Sequence, residues 1–186
     1  MAINRKRSND KQTDLNKSFL ERESEANATR RKDISVLAYI KIPDELLNPT
    51  DSEFAMLCES ELDELRRLSS ERLLNLTIYS NTDLKLMYGP QNLDDLSKYD
   101  SNFTELELAI TSLSKKCIDN NMDSLCIPYL EFAVKYKTTN SQIYVLLANR
   151  YAALGQHEKI QSLLDGLNDQ DFLMKKTIVD KLTELL

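Results

Sequence analysis

Side-chain catalysis needs a base beside a nucleophile, or ligands gathered on a metal. This chain carries few of the residue types that do either. His157 is the only histidine, so any Ser–His or Cys–His pair would have to use it. It stands just after the turn at Gly155, the position of a solvated surface histidine. Cys58, Cys117 and Cys126 are widely spaced and form no CxxC pair, which leaves no zinc or redox motif. Cys117 and Cys126 fall on opposite helices of one expected hairpin, across its turn. A regulatory disulfide between them stays open, with small core cysteines the preferred reading. Asp63-Glu64 and Asp94-Asp95 read as solvated helix faces. No GxGxxG, GK[ST] or HExxH occurs. No catalytic, cofactor-binding or metal-ligating residue is expected, and the chain is read as a non-enzyme.

Charge offers a second chemistry. Residues 1–41 carry ten Lys or Arg against six Asp or Glu, and the remainder 14 against 24. A segment of net +4 therefore adjoins a body of net −10, which sums to the −6 of the whole chain. Arg5-Lys6-Arg7 and Arg30-Arg31-Lys32 are short basic clusters suited to anionic lipid or nucleic acid. Acidic residues dilute them, and a solvated tail is the preferred reading. The acidic body would repel phosphates, so nucleic acid is not its expected ligand. The first 20 residues hold no apolar core of a signal peptide. The run Ile34–Ile42 is too short to span a bilayer. Both observations, with the unpaired cysteines, lead to an expected cytoplasmic location. The triplets at Asn27, Asn75 and Asn102 then read as chance matches to the glycosylation pattern.

These side chains must be positioned by helices. Three glycines and four prolines in 186 residues are too few for a turn-rich β fold. Residues 1–13 are polar and expected to be disordered. Leu15, Phe19, Leu20 and Ala26 mark a weak helical stripe over 14–32. Ile34–Ile42, rich in β-branched residues and ending at Pro43, reads as an extended connector packed on helices. Pro43 to Leu47 suits one helical turn with proline in its first position. Thr50 with Glu53 forms a capping box. Phe54, Leu57, Cys58, Leu62, Leu65, Leu68, Leu73 and Leu76 follow at near-helical spacing, with a bend or break at Ser69-Ser70. A short helix over 83–88 stops at Gly89-Pro90, and another containing Leu93, Leu96 and Tyr99 precedes a turn at Asp100-Ser101-Asn102. Thr104 with Glu107, and Thr139 with Gln142, are further capping boxes. They open hairpins over 104–136 and 140–167, with inner turns at Asn120-Asn121 and Leu154-Gly155. Gly166 and Asn168-Asp169 mark the next turn, before a terminal helix carrying Leu173, Ile178, Leu182, Leu185 and Leu186.

The two hairpins match each other in register. Ile110, Leu113, Ser114, Cys117, Cys126, Leu130 and Ala133 recur as Tyr144, Leu147, Ala148, Tyr151, Ile160, Leu164 and Leu167, each 34 residues on. Asn121 and Gly155, two residue types that tolerate the left-handed conformation closing a helix, keep the same interval. On these residues the chain resembles a tetratricopeptide repeat protein. Tyr144, Leu147, Ala148, Tyr151 and Gly155 fit the family pattern, and Leu164 fits its large position. Ile160 and Cys126 stand where Ala is usual, and Phe172 replaces the closing Pro. The resemblance implies an all-α fold of α-α hairpin repeats, a short α-solenoid, with repeats at about 107–140 and 141–173. Residues 174–186 would cap one end. The expected organisation is a basic arm over 1–33, a connector over 34–49 and one helical domain over 50–186.

The family binds peptides along the inner face of each first helix. By resemblance, that face would be Leu108, Thr111, Lys115, Ile118 and Asp119, then Gln142, Val145, Asn149, Ala152 and Ala153. Thr111, Lys115, Asp119, Gln142, Asn149 and Ala153 are its candidate contacts, and Lys115 and Asn149 suit a peptide carboxylate or backbone. The family's carboxylate clamp, several Lys, Arg and Asn across three repeats, is not reproduced. Cover of this face by the N-terminal part is the competing arrangement. The expected function is a protein–protein adaptor taking a protein or peptide partner. The alternative is an accessory protein tethered to an anionic membrane or nucleic acid by its basic arm, and self-association through open repeat ends is a third.

Overall fold

Leucine and isoleucine recur every three or four residues along most of this chain, and burying such a stripe requires helices. In the computed structural model, which describes residues 17–186, every regular element among the described residues is helical. The helices are α1 (17–28), α2 (Asp44–Leu47), α3 (Ser52–Leu57), α4 (Glu59–Ser69), α5 (Asn81–Tyr88), α6 (Leu93–Asp119), α7 (Asp123–Lys135), α8 (Ser141–Ala153), α9 (His157–Leu167) and α10 (Lys175–Thr183), with a 3-10 turn at Pro90–Asn92. The expectations for residues 1–13 and for Arg5-Lys6-Arg7 lie outside the described residues.

The chain divides into two compact units. The smaller joins the described residues through Leu37 to Tyr79–Lys98; the larger joins Ala38–Ile78 to Tyr99–Leu186. In the smaller unit, α1 buries Ala26 and leaves Phe19 and Leu20 exposed, so the thin apolar stripe expected there is not what holds it. Polar pairs do. Arg22 bonds Asp83, and Glu23 accepts from Thr82 Oγ1 and Lys85 Nζ. Asn92, fully buried, donates Nδ2 to Lys32 O at 2.8 Å and Tyr88 O at 2.7 Å, and accepts from Arg31 Nε at 3.1 Å. Gly89 ends α5 with φ of +88°, and a Cβ there would meet Arg30 O at 2.8 Å. Glycine is required by both conformation and space.

The larger unit has one continuous core, running from Ile40 and Ile42 through Phe54, Leu62, Leu106, Leu113 and Tyr144 to Ile178 and Leu182. Each fully buried Leu contributes roughly 1.5–3 kcal/mol of transfer free energy. Among the described residues no strand forms over 34–42. Ile40 makes one backbone bond, to Leu73 O, while Ile40 and Ile42 insert into the core. Helix α8 packs on α7, α9 and α10.

Helix ends differ from expectation where a neighbouring residue competes. Asp51, not Thr50, caps α3, and its Oδ1 accepts from Phe54 N at 2.9 Å. Asn140, not Thr139, caps α8. Pro43 is the N-cap of α2 and not its first helical residue. Helix α4 stops at Ser69, and Leu73, Leu74 and Leu76 are buried from an irregular segment. The largest correction is α6. No turn interrupts it at Asp100-Ser101-Asn102, and Thr104 starts no helix. Asp100 Oδ1 accepts from Leu76 N, and Asn102 Nδ2 donates to Arg72 O. Side chains that could have closed a local turn are engaged by the 72–76 segment, and the backbone stays helical. Leu173, placed on the terminal helix's apolar side by its spacing, is 96% exposed and precedes α10.

Of the fourteen side chains in the 34-residue register, all but the half-buried Leu164 are buried. The turns match atom for atom along the backbone. Met122 N donates to Cys117 O and Gln156 N to Tyr151 O, both at 2.8 Å, while Asn121 and Gly155 carry φ of 58° and 68°. The Schellman closure satisfies carbonyls at each helix end.

Candidate interaction surface

Helices α6 and α8 carry the two stretches expected to face a partner. Lys115 and Gln142 meet between them: Lys115 Nζ donates to Gln142 Oε1 at 2.9 Å. Asn149 lies two turns beyond Gln142 on α8, and its Nδ2 donates to Val145 O at 2.8 Å. Asp119 and Ala153 are exposed, Ile118, Val145 and Ala152 half-buried, and Leu108 is 61% exposed. Thr111 departs from this group. It is buried, with Oγ1 donating to Glu107 O at 2.7 Å, so it offers no contact to a partner. The remaining face mixes apolar contact with an ammonium and an amide, a combination that can hold a peptide's backbone and side chains together.

Polar clamps hold this face in place. Glu107, buried in α6, accepts the hydroxyl of Thr138, and Thr138 Oγ1 accepts from Asn140 N at 3.0 Å. The loop leading into α8 is thereby fastened to α6. Burial pushes the Glu107 pKa up; Thr138 opposes the shift, and nearby Asp100 adds to it. On the other side of α6, Glu61 of α4 accepts from Ser112 Oγ at 2.8 Å and Lys116 Nζ at 2.7 Å. Burial works against ionising Glu61, but Lys116, Ser112 and Ser60 outweigh it and its pKa lies below the ordinary value. Arg150 pairs with Asp123 across α8 and α7, and Tyr151 OH donates to Glu131 at 2.5 Å.

Two concavities flank these clamps. A shallow one of about 320 Å³ lies between α4 and α6, lined by Ser60, Glu61, Glu64, Glu105, Leu108, Ala109 and Ser112. Arg67 bonds both Glu64 and Glu105 at its edge. Leu108 belongs to this depression and to the expected face alike. The other, of about 440 Å³, separates the 45–54 stretch from α7 and is walled by Leu46, Pro49, Phe54, Leu125, Pro128 and Tyr129. Sequence reasoning passed over it. One signal was present: Pro128 stands inside α7, where it withholds a backbone N–H and interrupts the helical bonding.

The remaining candidate groups sit apart from this face. His157 is the exposed first residue of α9. All three cysteines are free and buried. Cys117 Sγ lies 3.9 Å from Cys58 Sγ, while Cys126 Sγ turns to Asp123 O at 3.1 Å. Burial raises all three thiols, Cys126 to about 11. Of the second basic cluster, Arg31 bonds Asn92, and the Lys32 backbone bonds Tyr88 and Asn92. Among the described residues no group of three or more His, Cys, Asp or Glu could hold a metal, and no helix is long and apolar enough to cross a membrane. No family model, no curated protein and no solved structure matches this chain.

Proposed function

We propose that the chain is a non-enzymatic adaptor of tetratricopeptide-like build, whose α6–α8 face binds an extended segment of a protein partner. The 34-residue recurrence supports this reading: one apolar register and one turn geometry occur twice, and α8 packs on α7 and α9. Repeating hairpins of this kind give a surface of repeated form, suited to a ligand that runs along it. Lys115, Gln142 and Asn149 are the polar contacts of the binding face, and Leu108, Val145 and Ala152 supply apolar area. The alternative of an anionic tether has less to draw on, because Arg31 and Lys32 already take part in holding the smaller unit together.

A photo-crosslinking side chain placed at Asn149 in the full chain tests the proposal in cell extract. A matched probe at Gln161, exposed on α9, serves as the control. The expected result is one discrete protein adduct from position 149, lost in Lys115→Glu, and none from position 161. Equal labelling from both positions, or none from either, overturns it.

A further inference from the structure

We propose that Cys58 and Cys117 are a latent disulfide pair that, on oxidation, staples the joint between α3 and α4 to the last turns of α6. Their sulfurs are in van der Waals contact at 3.9 Å, both side chains fully buried. Bond formation needs an approach of roughly 2 Å, to the usual S–S length of about 2.05 Å. The local backbone leaves room for that movement. Cys58 is neither in α3 nor in α4; it closes one and opens the other with φ of −106° and ψ of 20°. Its N–H still donates to Phe54 O, and its carbonyl accepts from Leu62 N. A thiol at such a joint can rotate without breaking a helix on either side.

The third thiol is placed differently. Cys126 reaches Asp123 O within its own helix, so the pairing favoured by position is between Cys117 and Cys58, 59 residues apart, and not across the α6–α7 turn.

The oxidant is a small-molecule disulfide of the oxidised-glutathione class. One cysteine, deprotonated when the core opens, attacks a sulfur of that disulfide. The small S–S bond breaks and one small thiolate leaves, taking up the proton. A mixed disulfide remains on the protein. The second cysteine thiolate then attacks the protein sulfur of the mixed disulfide and expels the second small thiol. Two protein thiols lose two electrons in all, and one small disulfide becomes two thiols. Attack requires the thiolate, and burial holds both groups as thiols in the closed chain. Oxidation is therefore gated by opening of α3–α4 from α6, and the product is slow to reverse.

The test uses the full chain, incubated natively with oxidised glutathione and, in parallel, in urea, with intact mass and non-reducing peptide maps read over time. The native sample is expected to lose about 2 Da and yield a Cys58–Cys117 peptide, while urea gives a mixture of pairings. Cys126→Ser should still form the bond. A dithiol should reverse it, and the melting temperature of the oxidised chain should stand roughly 10 °C above that of the reduced one, as expected for a closed loop of this length. A native product joined through Cys126, or glutathione adducts without an internal bond, overturns the proposal. Because wild-type mapping decides the matter, misfolding of a Cys58 variant does not blunt it.

Discussion

Thr138 donates its hydroxyl to the carboxyl group of Glu107, fastening the loop before α8 to the middle of α6. Burial raises the Glu107 pKa above 4.5, so the folded chain holds this proton more tightly than the unfolded one. Folding then takes up a proton between 4.5 and the raised value. Stability from this group is fully present below 4.5 and is lost as pH rises through the raised value. Glu107→Gln, which still accepts from Thr138, should flatten the dependence in that window and leave stability at pH 7 unchanged or higher. Glu107→Ala leaves the Thr138 hydroxyl without that acceptor and should cost about 1–3 kcal/mol. Urea titrations across that pH window separate the two variants, and a Gln variant as unstable as Ala would contradict the account.

Asn121, Lys137 and Gly155 form a natural series, with φ of 58°, 58° and 68° at three helix ends closed by the same bonds. Side chains other than Gly pay about 1 kcal/mol or more in this conformation, Asn less than most. Lys137→Gly should stabilise by about 0.5–1 kcal/mol. Gly155→Ala should destabilise by about 1 kcal/mol, from conformation alone, since no atom lies within 4 Å of its added Cβ. Asn121→Gly should change little. Thermal melts of the three variants rank these effects, and a stabilising Gly155→Ala would show that the turn is not held as described.

Asn92 satisfies two carbonyls and one guanidinium in the smaller unit. Asn92→Ala should cost about 1–3 kcal/mol there, because Lys32 O loses the amide that serves it while Tyr88 O keeps only the Lys32 N–H. Hydrogen exchange should quicken at the Lys32 and Gly89 amides and stay unchanged in α8. Uniform quickening across the chain would mean that the two units do not respond separately.

Acid should weaken the smaller unit first, because in the larger one the loss at Glu61 is opposed by the gain at Glu107. The Lys85 ammonium, then the Thr82 hydroxyl, hold Glu23 below its ordinary 4.5, and Ser80, with help from Arg22, holds Asp83 below 3.8. Their stabilisation is present above those ordinary values and lost as pH falls through the lowered ones. Glu107 in the larger unit has by then gained stability. Limited pepsin digestion near pH 3 should cut first within 17–37 or 79–98; first cuts in α8 or α9 would refute this ordering.

The helical class, the buried register and the two matched turns were legible from residue types, because apolar spacing and a left-handed closure leave local traces. Lys137 left none, since lysine carries no preference for the left-handed conformation that its φ of 58° shows. Asp100 and Asn102 misled for the opposite reason: their side chains suit local turns, yet they serve the 72–76 segment, a partner distant in sequence. Of the expected contact face, Lys115, Gln142 and Asn149 lie on neighbouring helices, whereas Thr111 turned inward to bond Glu107. The Cys58–Cys117 contact, 59 residues apart, and the cleft against α7 were invisible because each needs two distant segments brought together.

The twofold turn gives the gene a seam. Residues 122–155 begin and end at equivalent points of the two closures, so Asn121 can be followed by Gln156 or Gly155 by Met122 with the same backbone course. Duplication or loss of that block in a genome would change the number of hairpins without requiring a new loop to evolve.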